Sequence, residues 1–130
     1  MYAGDVTPEH AHAAVLAGEG LLVDVRTRAE WAYVGVPDTP TVFIEWQSYP
    51  DGARNGSFVE ELRAAGAQEG RPLYFLCRSG ARSAAAAKAA TADGLGPAFN
   101  IIDGFEGPLD GAGRRVVGGW RNVGLPWKQS

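Results

Sequence analysis

Apolar positions along the chain fall into short runs separated by turn residues, and the runs alternate with segments of helical character. Leu21-Leu22-Val23-Asp24-Val25 lies between turn signals and suits a buried strand that ends on a polar residue. Thr41-Val42-Phe43-Ile44-Glu45-Trp46 predicts a second strand from its β-branched and aromatic content. Leu73-Tyr74-Phe75-Leu76 is the third and most apolar, and Asn100-Ile101-Ile102-Asp103 is a fourth short one. Between them, Thr7-Pro8-Glu9-His10 supplies an N-cap, a proline at the first helical position and an acid in the first turn. That helix is expected to run to about Ala17 and to stop at Gly18 or Gly20. A short helix is expected over 27–33. Ser57 can cap another over 58–65, with Phe58, Leu62 and Ala65 on one face and Gly66 at its end. The alanine-rich stretch from Ser83 to Ala92 is a strong fourth helix. Gly35, Pro37, Asp38 and Pro40 mark a loop, and the polar stretch 48–57 is long enough to form one wall of a pocket. Strands alternating with helices imply an α/β fold, a mostly parallel central sheet with helices on both faces. No repeat or linker divides it, so one domain is expected over 1–130, its core at about 7–127.

Composition agrees with a packed core: 45% of the 130 residues are hydrophobic and 21% charged. The 18 glycines and 8 prolines mean that the chain turns often. A net charge of −3 makes nucleic acid an unpromising partner. No apolar run approaches the length that spans a bilayer, and the N-terminus lacks the basic-then-apolar pattern of a secretory signal. A soluble protein of the reducing cytoplasm, with no membrane partner, is therefore expected. There is one cysteine and there are two histidines, too few for an internal disulfide or for a structural zinc site without carboxylates. No metal or cofactor is called for. The lone Cys77 is thus either a small buried hydrophobe, the usual fate of free cysteines, or the chemical centre.

Its surroundings favour chemistry. Cys77 follows the most apolar strand, at the kind of strand end where open parallel sheets place their ligands. Arg78, Ser79, Gly80, Ala81 and Arg82 come next and are small or cationic. Small residues let a loop curl so that successive N–H groups point at one spot and make an anion nest. The helix from Ser83 adds its positive end, and two guanidinium groups lie nearby; each of these favours a thiolate. The expectation is a cysteine nucleophile in an anion pocket.

The segment Cys77-Arg78-Ser79-Gly80-Ala81-Arg82-Ser83 resembles the active-site loop of rhodanese-domain sulfurtransferases. Asp24-Val25-Arg26 with Glu30-Trp31 is similar to another recurring segment of that family, and Asp103-Gly104-Phe105-Glu106-Gly107 and Gly124-Leu125-Pro126-Trp127 to its C-terminal part. The resemblance runs from about Thr7 to Trp127. It implies a single rhodanese-like domain that transfers sulfane sulfur through a Cys77 persulfide. The donor is a small anion such as thiosulfate and the acceptor cyanide or a cellular thiol, with a protein acceptor open. Amides from Arg78 to Arg82 are then expected to stabilise the anionic sulfur, Arg78 to help bind the donor, and Arg82 to brace the loop from within. Asp24 is expected to anchor the loop by hydrogen bonds or by pairing with an arginine, with Arg26 and Ser83 in support. One departure from the family is Val36, where many members carry histidine after the glycine.

Two rivals are weighed against this reading. A cysteine phosphatase or arsenate reductase also uses a thiolate in an anion loop, but places one more residue between cysteine and arginine than the four found here, usually with a histidine before the cysteine, where this chain has Leu76. A rhodanese-like module that only binds partners or relays sulfur is the other. His10 and His12, on a polar helix, are expected at the surface, and Trp31, Trp46, Trp120 and Trp127 in core and rim packing.

Overall fold

The computed structural model describes residues 1–129 and gives an α/β architecture; Ser130, the last residue of the expected domain, lies outside the described residues. Among those residues the order is β1 (Gly4–Val6), α1 (Pro8–Leu16), β2 (Leu21–Asp24), α2 (Arg28–Tyr33), β3 (Val36–Pro37), β4 (Val42–Phe43), α3 (Phe58–Ala64), β5 (Glu69–Leu76), α4 (Ala81–Ala92), β6 (Gly96–Ile101) and β7 (Trp127–Lys128). Five strands form one sheet in the order β1-β6-β5-β2-β4, and every pairing in it is parallel. β3 and β7 make a separate two-residue antiparallel ribbon.

The apolar run of β5 is explained by its place in the centre, covered on both faces. Leu73 and Phe75 point to the layer that holds Phe58 and Leu62 of α3 and Ala86, Ala87 and Ala90 of α4. Tyr74 and Leu76 point the other way, to Ala11, Ala14 and Val15 of α1 and to Phe105 and Trp120 of the C-terminal segment. Leu22 and Val23 of β2 divide between the same two layers. Trp46 meets Phe58 edge-on at 5.0 Å, while the Trp120 indole N–H donates to the Pro126 carbonyl at 2.8 Å. Among the described residues no helix is long and apolar enough to cross a membrane.

Several boundaries differ from the sequence reading. β1 carries too little apolar pattern to be seen, and it forms because its backbone completes the β6 edge. The fourth expected strand lies earlier, at Gly96–Ile101, and Asp103 adopts a left-handed φ of 62° that ends any extended run. β4 is only Val42–Phe43, although Ile44 and Trp46 still donate to Asp24 and Val25 carbonyls. α3 ends at Ala64 and leaves Ala65 exposed; Ala67, past the turn, fills the core instead. Ser57 makes no side-chain cap; Asn55 accepts from the Ser57 amide at 3.0 Å. α4 starts at Ala81, with Gly80 as N-cap, so Arg82 and Ser83 belong to its first turn. His12 is half-buried, edge-on to Trp120 at 5.3 Å and within 3.2 Å of the Thr39 hydroxyl, rather than at the surface.

β2 and β5 are adjacent, yet β2 leads through α2 towards β4 on one side and β5 through α4 towards β6 on the other. Chains that leave neighbouring strand ends in opposite directions open a crevice between them, where parallel sheets bind ligands. Asp24 stands level with Leu76 at that crevice, and Cys77 is the next residue.

Candidate active site

Cys77 closes β5 with its side chain on the α3/α4 face, 1% exposed. Its sulfur accepts the Gly80 amide at 3.1 Å, and Ser83 Oγ lies 3.2 Å away. The loop can aim that amide inward because Gly80 takes a φ of +122°, a conformation that L side chains rarely adopt. The expected ring of amides is narrower in the structure: among the described residues, the Gly80 N–H is the loop amide bonded to the sulfur. Arg78 and Ser79 are exposed, and Ala81 opens α4.

The two loop arginines part company. The Arg78 side chain makes no hydrogen bond or ion pair among the described residues and stays at the mouth as a free cation. Arg82 turns to α2 and grips Glu30 with both nitrogens, at 2.6 and 2.9 Å. Burial alone pushes Glu30 up, but hydrogen bonds from Arg82 and the Thr27 amide, with the Arg82 charge, outweigh it and hold the carboxyl at about 2. Arg82 is raised in return, chiefly by the Glu30 hydrogen bond. Glu30 also completes a capping box with Thr27 at the start of α2.

Asp24 pairs with Arg26, its near neighbour, not with a loop arginine. Both side chains are fully buried, with Arg26 Nε and Nη2 donating to the Asp24 carboxylate at 2.7–3.1 Å. Nη2 also donates to the Gly35 carbonyl at 2.8 Å, and the guanidinium lies 4.3 Å from the Phe105 ring centre. Among the described residues Nη1 has no hydrogen bond, and the Phe105 ring offers the guanidinium a cation–π contact. Phe105 belongs to a segment that clamps the cysteine loop: its amide donates to the Cys77 carbonyl at 2.8 Å, and the Glu106 amide to the Arg78 carbonyl at 3.0 Å.

A cleft of about 520 Å³ opens over the loop between α2 and the 47–52 segment, with Tyr33, Tyr49, Arg78 and Arg82 on its walls. Tyr33 is 85% and Tyr49 71% exposed. A larger hollow of about 610 Å³, lined by Trp31 and Phe43 among others, does not include Cys77 or its loop. Among the described residues no three His, Cys, Asp or Glu side chains gather closely enough to hold a metal ion.

Sequence reasoning missed the roles of Glu30, Gly104 and Asn100. Glu30 carried a signal, since Thr27 three residues before it spells a capping box. Asn100 carried another, a polar residue between Phe99 and Ile101 in a strand bound for the core. Nothing local marks Gly104, whose importance lies in what packs against it.

A parallel α/β sheet with a buried cysteine in a short arginine-bearing loop at the switch point defines the class of this protein. The rhodanese-like domain family matches this chain over residues 7–108, and the chain belongs to that family. The chain is 48% identical to the Mycobacterium tuberculosis protein Rv0390, whose crystal structure superposes over all of both chains with a TM-score of 0.88. A rhodanese-like domain protein from Staphylococcus aureus shares the fold at 20% identity, covering 95% of this chain and 93% of its own, TM-score 0.61. A Rhodopseudomonas palustris protein of unknown function, described as a possible tyrosine phosphatase, is 26% identical over 96% of this chain and 84% of its own, TM-score 0.60. The uncharacterized protein RC0915 of Rickettsia conorii is 37% identical, with 82% of this chain and 81% of the relative covered.

Proposed function

We propose that the protein is a sulfurtransferase that moves sulfane sulfur from thiosulfate or a similar anionic donor to cyanide or a cellular thiol through a persulfide on Cys77. The observation that carries this is the sulfur itself, buried just past the end of β5 with the Gly80 amide donating to it at 3.1 Å. The Cys77 thiolate attacks the outer sulfur of thiosulfate; the bond between the two donor sulfurs breaks, and sulfite departs with its electron pair. The new outer sulfur of the persulfide carries the negative charge. An acceptor such as cyanide then attacks that sulfur, forms thiocyanate and returns the thiolate. Arg78, free at the mouth, draws in the dianionic donor, and amide donors at the loop serve the charged sulfur as an oxyanion hole serves oxygen. Arg82 holds α4 to α2 through Glu30 rather than touching the donor.

The test is thiocyanate formation from thiosulfate and cyanide, with intact mass measured in parallel. Thiosulfate should add one sulfur to the protein, cyanide should remove it, and Cys77→Ser should abolish both. Turnover retained by Cys77→Ser overturns the reading. The relay alternative is favoured by one observation, a mouth with two exposed tyrosines that is roomier than thiosulfate requires. Sulfur loading with negligible thiocyanate turnover would select it. A phosphate-ester assay covers the phosphatase rival, which the short loop and the engaged Arg82 disfavour.

A further inference from the structure

Ser83 Oγ has three acceptors within reach: Asn100 Oδ1 at 2.5 Å, the Gly80 carbonyl at 3.1 Å and Cys77 Sγ at 3.2 Å. A serine hydroxyl has one proton to give, so these compete, and the shortest contact is to Asn100. The orientation of Asn100 is set from its far end, where Nδ2 donates to Asp5 Oδ1 at 3.1 Å. An ionised carboxylate only accepts, so the amide cannot turn its NH₂ towards Ser83 without losing that bond. Strand register assembles the set: Asn100 stands level with Phe75 of β5 on one side and Asp5 of β1 on the other. Cys77 lies two residues beyond Phe75 and so on the same face of the sheet. Asn100 is buried, and both ends of its side chain are committed to this chain of contacts.

We propose that Asn100 is a positioning residue for the thiol: fixed by Asp5, it draws the Ser83 proton away from Cys77 and so restrains thiolate formation. In the resting state the Ser83 oxygen then faces the sulfur as an acceptor for S–H. When Cys77 ionises, its proton leaves to solvent, and Ser83 can turn its own O–H to the sulfur only by giving up Asn100. The inference rests on Cys77 being the working nucleophile but not on the identity of the sulfur donor. The charged groups on the elements packed near the thiol are Arg78 in its loop, Arg82 of α4 with Glu30 of α2, the Asp24–Arg26 pair at the end of β2, Asp103 after β6, whose carboxylate turns to Gly118, and Asp5 of β1. Of these, Asp5 is the one bonded to Asn100.

Because Cys77 is the single cysteine, the rate of iodoacetamide alkylation against pH reads it without ambiguity. Asn100→Leu should move the midpoint of that profile down by about one pH unit, as the freed Ser83 proton reaches the thiolate. Asp5→Ala, at an exposed position, should move it down by less, since the amide can then turn. Repeating both in a Ser83→Ala background separates the proton from simple charge or packing effects. There the Asn100→Leu shift should vanish and the Asp5→Ala shift should shrink to the effect of its lost charge. An unchanged or raised midpoint in Asn100→Leu, or shifts of equal size with and without Ser83, overturns the proposal; should Asn100→Leu not fold, the Asp5→Ala pair decides alone. Thiosulfate loading of the unmodified protein, followed by mass, tests the sulfurtransferase reading separately. Its failure leaves the alkylation result standing.

Discussion

Asp24 and Arg26 are both removed from water, and their hydrogen bonds to one another and to the Gly35 carbonyl are what make that burial tolerable. Asp24→Asn leaves a buried guanidinium with no counter-charge and should cost about 3–5 kcal/mol in urea unfolding. The double variant Asp24→Asn/Arg26→Leu should recover most of that loss, which would show the cost to be an orphaned charge rather than a lost shape. Gly104 is exacting for a different reason. A Cβ there meets the Cys77 carbonyl oxygen at 2.4 Å and the Arg78 carbonyl carbon at 2.6 Å, and its φ of +58° suits glycine. Backbone cannot step aside as a flexible side chain can. Gly104→Ala should therefore lower stability by about 2 kcal/mol and shift the cysteine loop enough to remove most of the proposed sulfur transfer. Paired urea titration and thiocyanate assays would show it; full activity would mean that the 104–106 clamp does not set the loop. Residues of this kind show how far a sequence can be read. Cys77 and its arginines announce themselves by type and spacing, whereas Gly104 matters only because a distant backbone lies against it.

At the scale of elements, α2 buries none of its residues fully and is held by its capping box and by the Glu30–Arg82 grip on α4. That grip joins the two helices that diverge at the crevice. Glu30 falls from 4.5 to about 2 on folding, so it stabilises the fold most fully above the unfolded value. The contribution fades as pH falls from about 4.5 towards 2. Glu30→Gln lacks it, so the difference in melting temperature between the native protein and this variant should be greatest near neutrality and shrink steadily across that window. A difference independent of pH would mean that the carboxylate charge is not what ties α2 to α4. The two-residue displacement of the α4 start has a physical origin as well. Alanine content locates a helix, but its first turn was set here by Gly80, whose φ of +122° ends the loop and makes it the N-cap. This moves Ser83 from the helix boundary to the first turn, where its hydroxyl meets the sulfur.

Across the whole molecule, two apolar layers enclose the sheet, and the C-terminal segment closes one of them. Trp120, fully buried, packs with Leu76, Ile101 and Phe105 beneath the strand ends, and β7 ties the chain end to β3. Trp120→Ala should cost about 3–5 kcal/mol. Trp127→Ala, at a side chain 38% exposed, should cost clearly less. Equal losses in urea unfolding would place the anchor at the ribbon instead of the core. The alternation of apolar runs with helical segments determined the α/β class, and the apolar continuity of Leu73–Leu76 marked the central strand without reference to anything distant. Cys77 was singled out as the candidate chemical centre by its position after that strand, because strand ends and small-residue loops are local properties. Tertiary structure alone decided which arginine was left free, which carboxylate each cation met, and that Asn100 and Asp5 reach the Cys77 sulfur through Ser83. Those outcomes depend on strand order and register, which bring together residues as far apart as Asp5 and Asn100 and leave no trace in local spacing.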